Sequence, residues 1–164
     1  MFCPSCHAQN QDAAEACFTC GRALYALTQG VVLNQRYEVL SPLGGGGMGR
    51  VYKAHDRVLD DTVALKVLRP DIAAEPDMAR RFRSEIKLAR KVRHRNVCGI
   101  HEYGEDGGLA YLSMEFIDGK NLREFLAERS LSDQEALELS IQLAEGLQVV
   151  HEHGIVHRLS LIHI

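Results

Sequence analysis

Short apolar runs alternate with longer amphipathic segments along most of the chain. From residue 37 onward, β-branched and apolar residues cluster in short runs, which predicts strands. Between some of them, apolar residues recur every three or four positions, which predicts helices. The strands are predicted at residues 37–40, 50–54, 62–68, 99–103 and 109–114. The helices are predicted at residues 77–92, 121–128 and 132–153. This mixture indicates an α+β fold.

The last of these helices has clear signals at both ends. Ser132 and Glu135 form a capping box at its start, and Gly154 ends it. Its apolar residues cover a wide arc, which predicts a helix buried on most sides. They are Leu137, Leu139, Ile141, Leu143, Ala144, Leu147 and Val150.

Composition narrows the class of protein. The 164 residues are 46% hydrophobic and 25% charged, which is ordinary for a globular chain and excludes disorder. A net charge of -3 gives no reason to expect a nucleic-acid or membrane-surface partner, so the basic residues between 80 and 95 are interpreted as a solvated helix face. No apolar run is long enough to span a bilayer, and residues 1–4 do not resemble a signal peptide. We therefore expect a soluble, cytoplasmic protein.

Two cysteine pairs stand out in the first twenty residues. Each has the Cys-x-x-Cys spacing, and together they supply four thiolates for a structural zinc ion. The candidate ligands are Cys3, Cys6, Cys17 and Cys20. Zinc is the preferred interpretation because so small a segment has no other visible core; a redox dithiol or unligated cysteines are the alternatives. Residues 1–24 resemble the small zinc-ribbon modules at the termini of bacterial multidomain proteins, and residues 25–36 are predicted to be a linker.

Three further residues bear on the cysteine chemistry. Gly21 follows the second pair, where a tight knuckle favours a residue that tolerates positive φ. His7 holds the matching position after the first pair and is interpreted as a bystander rather than a ligand. Cys98 lies in an apolar context and is predicted to be a buried small hydrophobe.

A glycine-rich segment lies between the first two predicted strands. It reads Leu43-Gly44-x-Gly46-x-x-Gly49-x-Val51, and it leads into a strand rather than a helix. This context is typical of a hairpin whose backbone N–H groups approach nucleotide phosphates. A merely flexible hairpin is the alternative.

Four later segments favour the nucleotide interpretation. The third strand ends in Val63-Ala64-Leu65-Lys66, close to the V-A-I-K pattern, and Glu85 follows on a predicted helix. Residues 114–119 follow the fifth strand, and residues 155–158, Ile-Val-His-Arg, follow the long helix. Any one of these could arise by chance, but their order is specific.

With these segments in this order, the chain resembles the protein kinase family, and in particular the bacterial eukaryotic-like serine/threonine kinases. Residues 43–54 and the following Asp56 are a close match to that subgroup, and the resemblance covers residues 37–158. It implies a kinase-like small lobe at 37–114, with a five-stranded antiparallel sheet and one helix. A hinge at 115–120 and the start of the large lobe at 121–158 would follow.

The resemblance also implies roles for single residues. Gly44, Gly46 and Gly49 would cover the phosphates of ATP, which the family uses with Mg²⁺. Lys66 would contact the α- and β-phosphates and pair with Glu85 when the helix is swung in. A surface ion pair is the alternative for these two side chains.

The remaining implied roles concern the adenine and the catalytic loop. Leu43, Val51 and Ala64 would line the adenine pocket, and Met114 matches the gatekeeper. The backbones of Glu115 and Ile117 would bind the adenine edge. His157 and Arg158 would open the catalytic loop that acts on a protein substrate.

The family pattern breaks immediately after Arg158. The family has an aspartate at the next position to accept the substrate proton, whereas this chain has Leu159. The catalytic-loop lysine, the metal-binding asparagine and the D-F-G segment are also absent, so we expect the chain to be inactive. Two explanations are open: a degenerate kinase, or an interrupted reading frame. One nucleotide sequence that would encode residues 159–164, CTG-TCT-CTT-ATA-CAC-ATC, matches a transposon-based sequencing adapter, so these residues are interpreted as an artefact.

Two rival functions remain at this stage. One is a pseudokinase that binds nucleotide or partners without catalysis. The other makes the zinc ribbon the functional part, docking a protein or nucleic acid, with the kinase-like segment as a passenger.

Overall fold

The computed structural model describes Cys3, residues 6–11, Ala14, residues 16–21, Leu24, and residues 26–46, 49–70 and 76–155. For Gly46 and for residues 76–79, 81 and 82 it describes the backbone only. The chain divides into two compact units, residues 1–86 with 100–116 and residues 87–99 with 117–164.

A six-stranded antiparallel sheet dominates the first unit. Its spatial order is β1-β2-β3-β4-β6-β5. The strands are β1 (Val32–Leu33), β2 (Tyr37–Gly46), β3 (Gly49–Asp56), β4 (Asp61–Leu68), β5 (Ile100–Asp106) and β6 (Leu109–Glu115). The five predicted strands are therefore confirmed, and the two-residue β1 adds a sixth at the edge.

One face of this sheet carries the main hydrophobic core. The rings of Tyr37 and Tyr111 meet edge to face there, with centroids 5.7 Å apart. Leu27 and Val31 pack against the same core, so part of the predicted linker at 25–36 lies on the sheet. The buried core residues are Leu33, Tyr37, Val39, Tyr52, Ala54, Val63, Leu65, Val67 and Tyr111.

A partly buried ion pair joins the turn before β2 to the end of β3. Arg36 donates to both carboxylate oxygens of Asp56, at 2.8 and 2.6 Å, and Asp56 also accepts from the backbone of Val58 and Leu59. The hydrogen bonds from the Arg36 guanidinium are the main reason that the pKa of the Asp56 carboxyl lies below its usual range. Glu102 on β5 receives further hydrogen bonds from Arg36, at 3.3 and 3.4 Å.

Helix α1 (Pro76–Ala89) follows β4, as predicted. The basic side chains described along and after it are solvent-exposed, in agreement with the solvated-face interpretation. They are Arg80, Arg83, Lys87, Arg90, Lys91, Arg93 and Arg95.

The second unit contains α2 (Leu122–Glu128) and α3 (Asp133–Glu152). The capping box of Ser132 and Glu135 at the start of α3 is confirmed, and Asn121 with Glu124 forms another before α2. The prediction that α3 is buried on most sides is wrong. Within the described part of α3 only Gly146 is buried, while Leu137 is 56% and Ile141 49% exposed. The wide apolar arc on this helix can be read from the sequence. Burying it requires packing partners, which the described residues do not supply.

Helix α3 approaches the loop after α1 at one point. A Cβ atom at Gly146 would lie 2.9 Å from the Asn96 carbonyl oxygen, so the close approach requires glycine. The Asn96 amide donates to the Gln142 carbonyl at 3.0 Å. In the same loop Cys98 is exposed, so its prediction as a buried hydrophobe was wrong. Its apolar neighbours in sequence do not close over a side chain in an irregular loop.

Candidate functional site

The sheet face opposite the hydrophobic core gathers most of the predicted nucleotide-binding residues. Directly paired residues on antiparallel strands project from the same face. Val51 pairs with Lys66, which pairs with Leu112 on β6. Lys53 pairs with Ala64, which pairs with Met114. The register therefore places Val51, Ala64, Lys66 and Met114 on one continuous surface.

Lys66 lies near the centre of this surface and is half-buried. Burial lowers the pKa of its ammonium group. Among the described residues this ammonium forms no hydrogen bond or ion pair, so the predicted pair with Glu85 is not formed in the structure. Glu85 itself is exposed on α1. The Lys66–Glu85 pair stays a prediction that depends on the position of the helix.

The glycine-rich hairpin is formed by the ends of β2 and β3. Gly44 pairs with Val51, and Gly46 pairs with Gly49, with register shifts on β2 just before Gly44. Residues 47 and 48, at the tip, lie outside the described residues.

Two glycines of this hairpin have different surroundings. A Cβ atom at Gly49 would overlap the carbonyl oxygen of Val67 on β4, so the close strand approach itself demands glycine. A Cβ atom at Gly44 would meet no atom within 4 Å. Protein packing thus explains Gly49 but leaves Gly44 beside open space, where a ligand has room to approach the backbone.

Two of the predicted adenine-binding residues, Ala64 and Met114, lie side by side further along the same face, away from the hairpin. Ala64 is 7% exposed, and Met114 is half-buried beside it. Leu43 on β2 is half-exposed. Glu115 ends β6, and Ile117 is exposed just beyond it.

One contact at this end was not predicted from the sequence. The Lys53 ammonium lies 4.5 Å from the centroid of the Phe116 ring, over its face. No local pattern signals this contact, because Lys53 lies on β3 and Phe116 follows the end of β6, so the two residues meet only through the sheet register.

The four N-terminal cysteines lie together. Their sulfurs are all within 4.8 Å of one another, with Cys3 and Cys20 3.7 Å apart and Cys6 and Cys17 3.5 Å apart. Four thiolates around zinc at about 2.3 Å would be separated by about 3.8 Å. The donor set and the spacing therefore fit a tetrahedral zinc ion.

The two cysteine pairs form matching turns. The N–H of His7 donates to the Cys3 carbonyl at 3.0 Å, and the N–H of Gly21 donates to the Cys17 carbonyl at 2.8 Å. Both His7 and Gly21 have left-handed backbones, with φ of 56° and 69°. The prediction that His7 and Gly21 hold matching positions after the two cysteine pairs is confirmed by their backbone geometry.

Hydrogen bonds already favour a thiolate at Cys17. Burial opposes its ionisation, but the backbone N–H groups of Cys20 and Thr19 outweigh this and lower the pKa of Cys17 to about 6. At Cys6 the Ala8 backbone favours the thiolate, whereas burial and the other sulfurs raise the pKa to about 12. A bound cation would neutralise the charge that builds up when all four sulfurs are thiolates.

The catalytic-loop residues His157, Arg158 and Leu159 lie outside the described residues, so their predicted roles stay predictions. Within the described part of the chain, no helix combines the length and apolar character needed to cross a membrane.

Comparison with known proteins agrees with this architecture. The family model described as protein kinase domain matches residues 37–158. The serine/threonine-protein kinase pkn2 of Myxococcus xanthus is 44% identical over 128 residues, covering 78% of this chain and 15% of that protein. The serine/threonine-protein kinase PrkC of Bacillus subtilis is 39% identical over 127 residues, covering 77% and 20% respectively.

Solved structures show the same fold. The crystal structure of the Mycobacterium tuberculosis PknI kinase domain matches with a TM-score of 0.72 and 32% identity. The match covers 81% of this chain and 54% of that one. The chain thus spans about half of the solved kinase domain and at most a fifth of the two curated relatives described above.

Proposed function

Because the chain belongs to the protein kinase family, we propose that it provides the ATP-holding part of a bacterial serine/threonine protein kinase. The parent protein would transfer the γ-phosphoryl group of ATP to a protein hydroxyl. The observation that best supports this is the shared sheet face of Lys66, Ala64 and Met114 beside the open backbone of Gly44.

ATP would lie along this face with its two ends held differently. The ammonium of Lys66 would neutralise charge on the α- and β-phosphates, and the backbone of Gly44, Gly46 and Gly49 would cover them. Val51, Ala64 and Leu43 would contact the adenine ring, with Met114 as the gatekeeper. The backbones of Glu115 and Ile117 would bind its polar edge. When bound, Mg²⁺ would neutralise charge on the phosphates.

Lys66 is suited to this role by its surroundings. Burial destabilises the charged form of the Lys66 ammonium, which has no carboxylate partner among the described residues. A phosphate bound beside it would stabilise that charged form. Rotation of α1 would then let Glu85 pair with Lys66 and hold it against the phosphates.

We further propose that residues 1–164 alone do not catalyse the transfer. Leu159 stands where the family has the aspartate that accepts the substrate proton, and the sequence has no D-F-G segment for Mg²⁺. Residues 159–164 would be adapter-encoded, and genomic sequence past codon 158 tests that. A genomic leucine at codon 159 would favour the alternative function, a pseudokinase that binds nucleotide or a partner.

The kinase proposal predicts a strict dependence on Lys66. In the protein encoded by the uninterrupted gene, Lys66→Met should lower phosphate incorporation by about a hundredfold or more, because an electrostatic contact to the transferring group is lost. Radiolabelled ATP with a generic protein substrate measures this effect.

Lys91→Met is the matched control, since Lys91 is exposed in the loop after α1. It should retain normal incorporation. Activity that survives Lys66→Met would contradict the proposed mechanism, and an inactive parent protein would favour the pseudokinase.

We also propose that Cys3, Cys6, Cys17 and Cys20 hold one structural Zn²⁺. Their sulfur spacing and the left-handed turns after each pair support this ligand set. Thiolate ligands require a reducing compartment, so we place the protein in the cytoplasm.

The zinc proposal predicts one metal ion per chain. Cys20→Ser should abolish stoichiometric zinc, because a structural site needs all four ligands. Cys98→Ser, outside the cluster, should leave the zinc content unchanged. Elemental analysis of the purified variants provides the measurement, and wild-type protein without zinc would reject the assignment.

A further inference from the structure

Lys53 reaches across the sheet to the segment that follows β6. It lies on β3 directly opposite Ala64 of β4, and Ala64 lies directly opposite Met114 of β6. The small side chain of Ala64 lets the long stem of Lys53 pass over β4. The ammonium then lies 4.5 Å from the centroid of the Phe116 ring.

The Phe116 ring is an aromatic partner of this ammonium. Lys53 is only partly exposed, and among the described residues its ammonium has no carboxylate partner. A cation over the face of an aromatic ring is attracted by the negative potential of that face. The contact is therefore directional and restricts the ring.

Phe116 lies in a position where such a restriction matters. It separates Glu115 from Ile117, the two residues whose backbones are proposed to bind the adenine edge. Its ring is joined to the same short backbone segment, so holding the ring limits rotation of the peptide groups on either side. A preorganised backbone binds a ligand with a smaller entropic cost.

We propose that Lys53 is a positioning residue, which holds the adenine-binding backbone at 115–117 in place through the Phe116 ring. This inference rests on the proposed function for its ligand, but the contact itself does not. Lys53 acts through Phe116 and is not assigned a role in phosphoryl transfer.

The first test uses the chain without nucleotide. Amide hydrogen exchange in residues 115–119 should be about two- to fivefold faster in Lys53→Met and in Phe116→Leu. Lys53→Arg retains a cation and should exchange like the wild type. Lys120→Met is the matched control, because it removes one charge from the same segment, where Lys120 pairs with Glu128 at 2.6 Å.

The second test measures the ATP affinity of the same variants made in the protein encoded by the uninterrupted gene, to which the proposed function applies. Lys53→Met and Phe116→Leu should each weaken binding by a similar factor, again about two- to fivefold. The double variant should be no weaker than either single one, because both changes remove the same contact. Lys53→Gln replaces Lys53→Met if the latter does not fold.

The outcomes separate the two proposals. Unchanged exchange in Lys53→Met, or additive losses in the double variant, would overturn the positioning role. If the wild type binds no ATP while exchange responds as expected, the proposed function fails and the positioning of the segment by Lys53 stands.

Discussion

At the scale of single residues, the glycine-rich hairpin combines two kinds of glycine. Gly49 is glycine because β4 passes too close for any side chain. Gly44 faces open space, so its small size serves no packing purpose among the described residues. A sequence pattern of three glycines does not distinguish these reasons, whereas the structure does.

This difference predicts opposite effects of alanine at the two positions. Gly49→Ala should lower the free energy of unfolding by about 2 kcal/mol or more, because the new methyl group displaces the backbone of β4. Gly44→Ala should change it by less than about 0.5 kcal/mol. Urea denaturation of both variants measures the difference.

ATP affinity gives the complementary measurement. If the parent protein is the proposed kinase, Gly44→Ala should weaken its ATP binding, because the methyl group would fill the space proposed for the phosphates. Equal stability losses in the two variants would show that the hairpin differs from the structure described here.

At the scale of secondary structure, the Arg36–Asp56 pair secures the edge of the sheet. It joins the turn before β2 to the end of β3, and it is buried on the Asp56 side. Because Arg36 lowers the pKa of Asp56, the pair contributes stability above the usual carboxyl pKa of about 3.9 and loses it as the pH falls towards the lower folded-state pKa.

Asp56→Asn should therefore destabilise the protein by about 3 kcal/mol at pH 7, because it leaves Arg36 without its buried partner. The difference from the wild type should shrink as the pH falls below about 4. Glu38→Gln is the control, since Glu38 pairs with Arg57 in an exposed position and should cost less than about 1 kcal/mol. A pH-independent difference between Asp56→Asn and wild type would contradict this electrostatic origin.

Most elements could be predicted from the sequence because their signals are local. The strands alternate or cluster apolar residues between glycine and proline positions, and the capping box before α3 is a four-residue pattern. Strand β1 has only two residues, too few to show any period. The exposure of α3 and of Cys98 depends on packing between distant segments, which a local pattern does not report.

At the scale of the molecule, the family could be predicted because chemistry fixes both the type and the order of several residues. A glycine hairpin, a strand lysine and a helical glutamate in sequence are specific to kinases, and the family comparison confirms the assignment. The Lys53–Phe116 contact could not be predicted in this way. It joins residues 63 positions apart, and it requires the register of three strands to be known.

The alternation of burial within the cysteine cluster sets the order in which electrophiles reach the thiols. Cys6 and Cys20 are exposed, whereas Cys3 and Cys17 are buried. An alkylating reagent therefore meets one sulfur of each pair first, and loss of either one would open the proposed zinc site. Cys98 is also exposed but lies outside the cluster. The first thiol to react in a labelling time course therefore reports on the proposed zinc site only when Cys98 has been replaced beforehand.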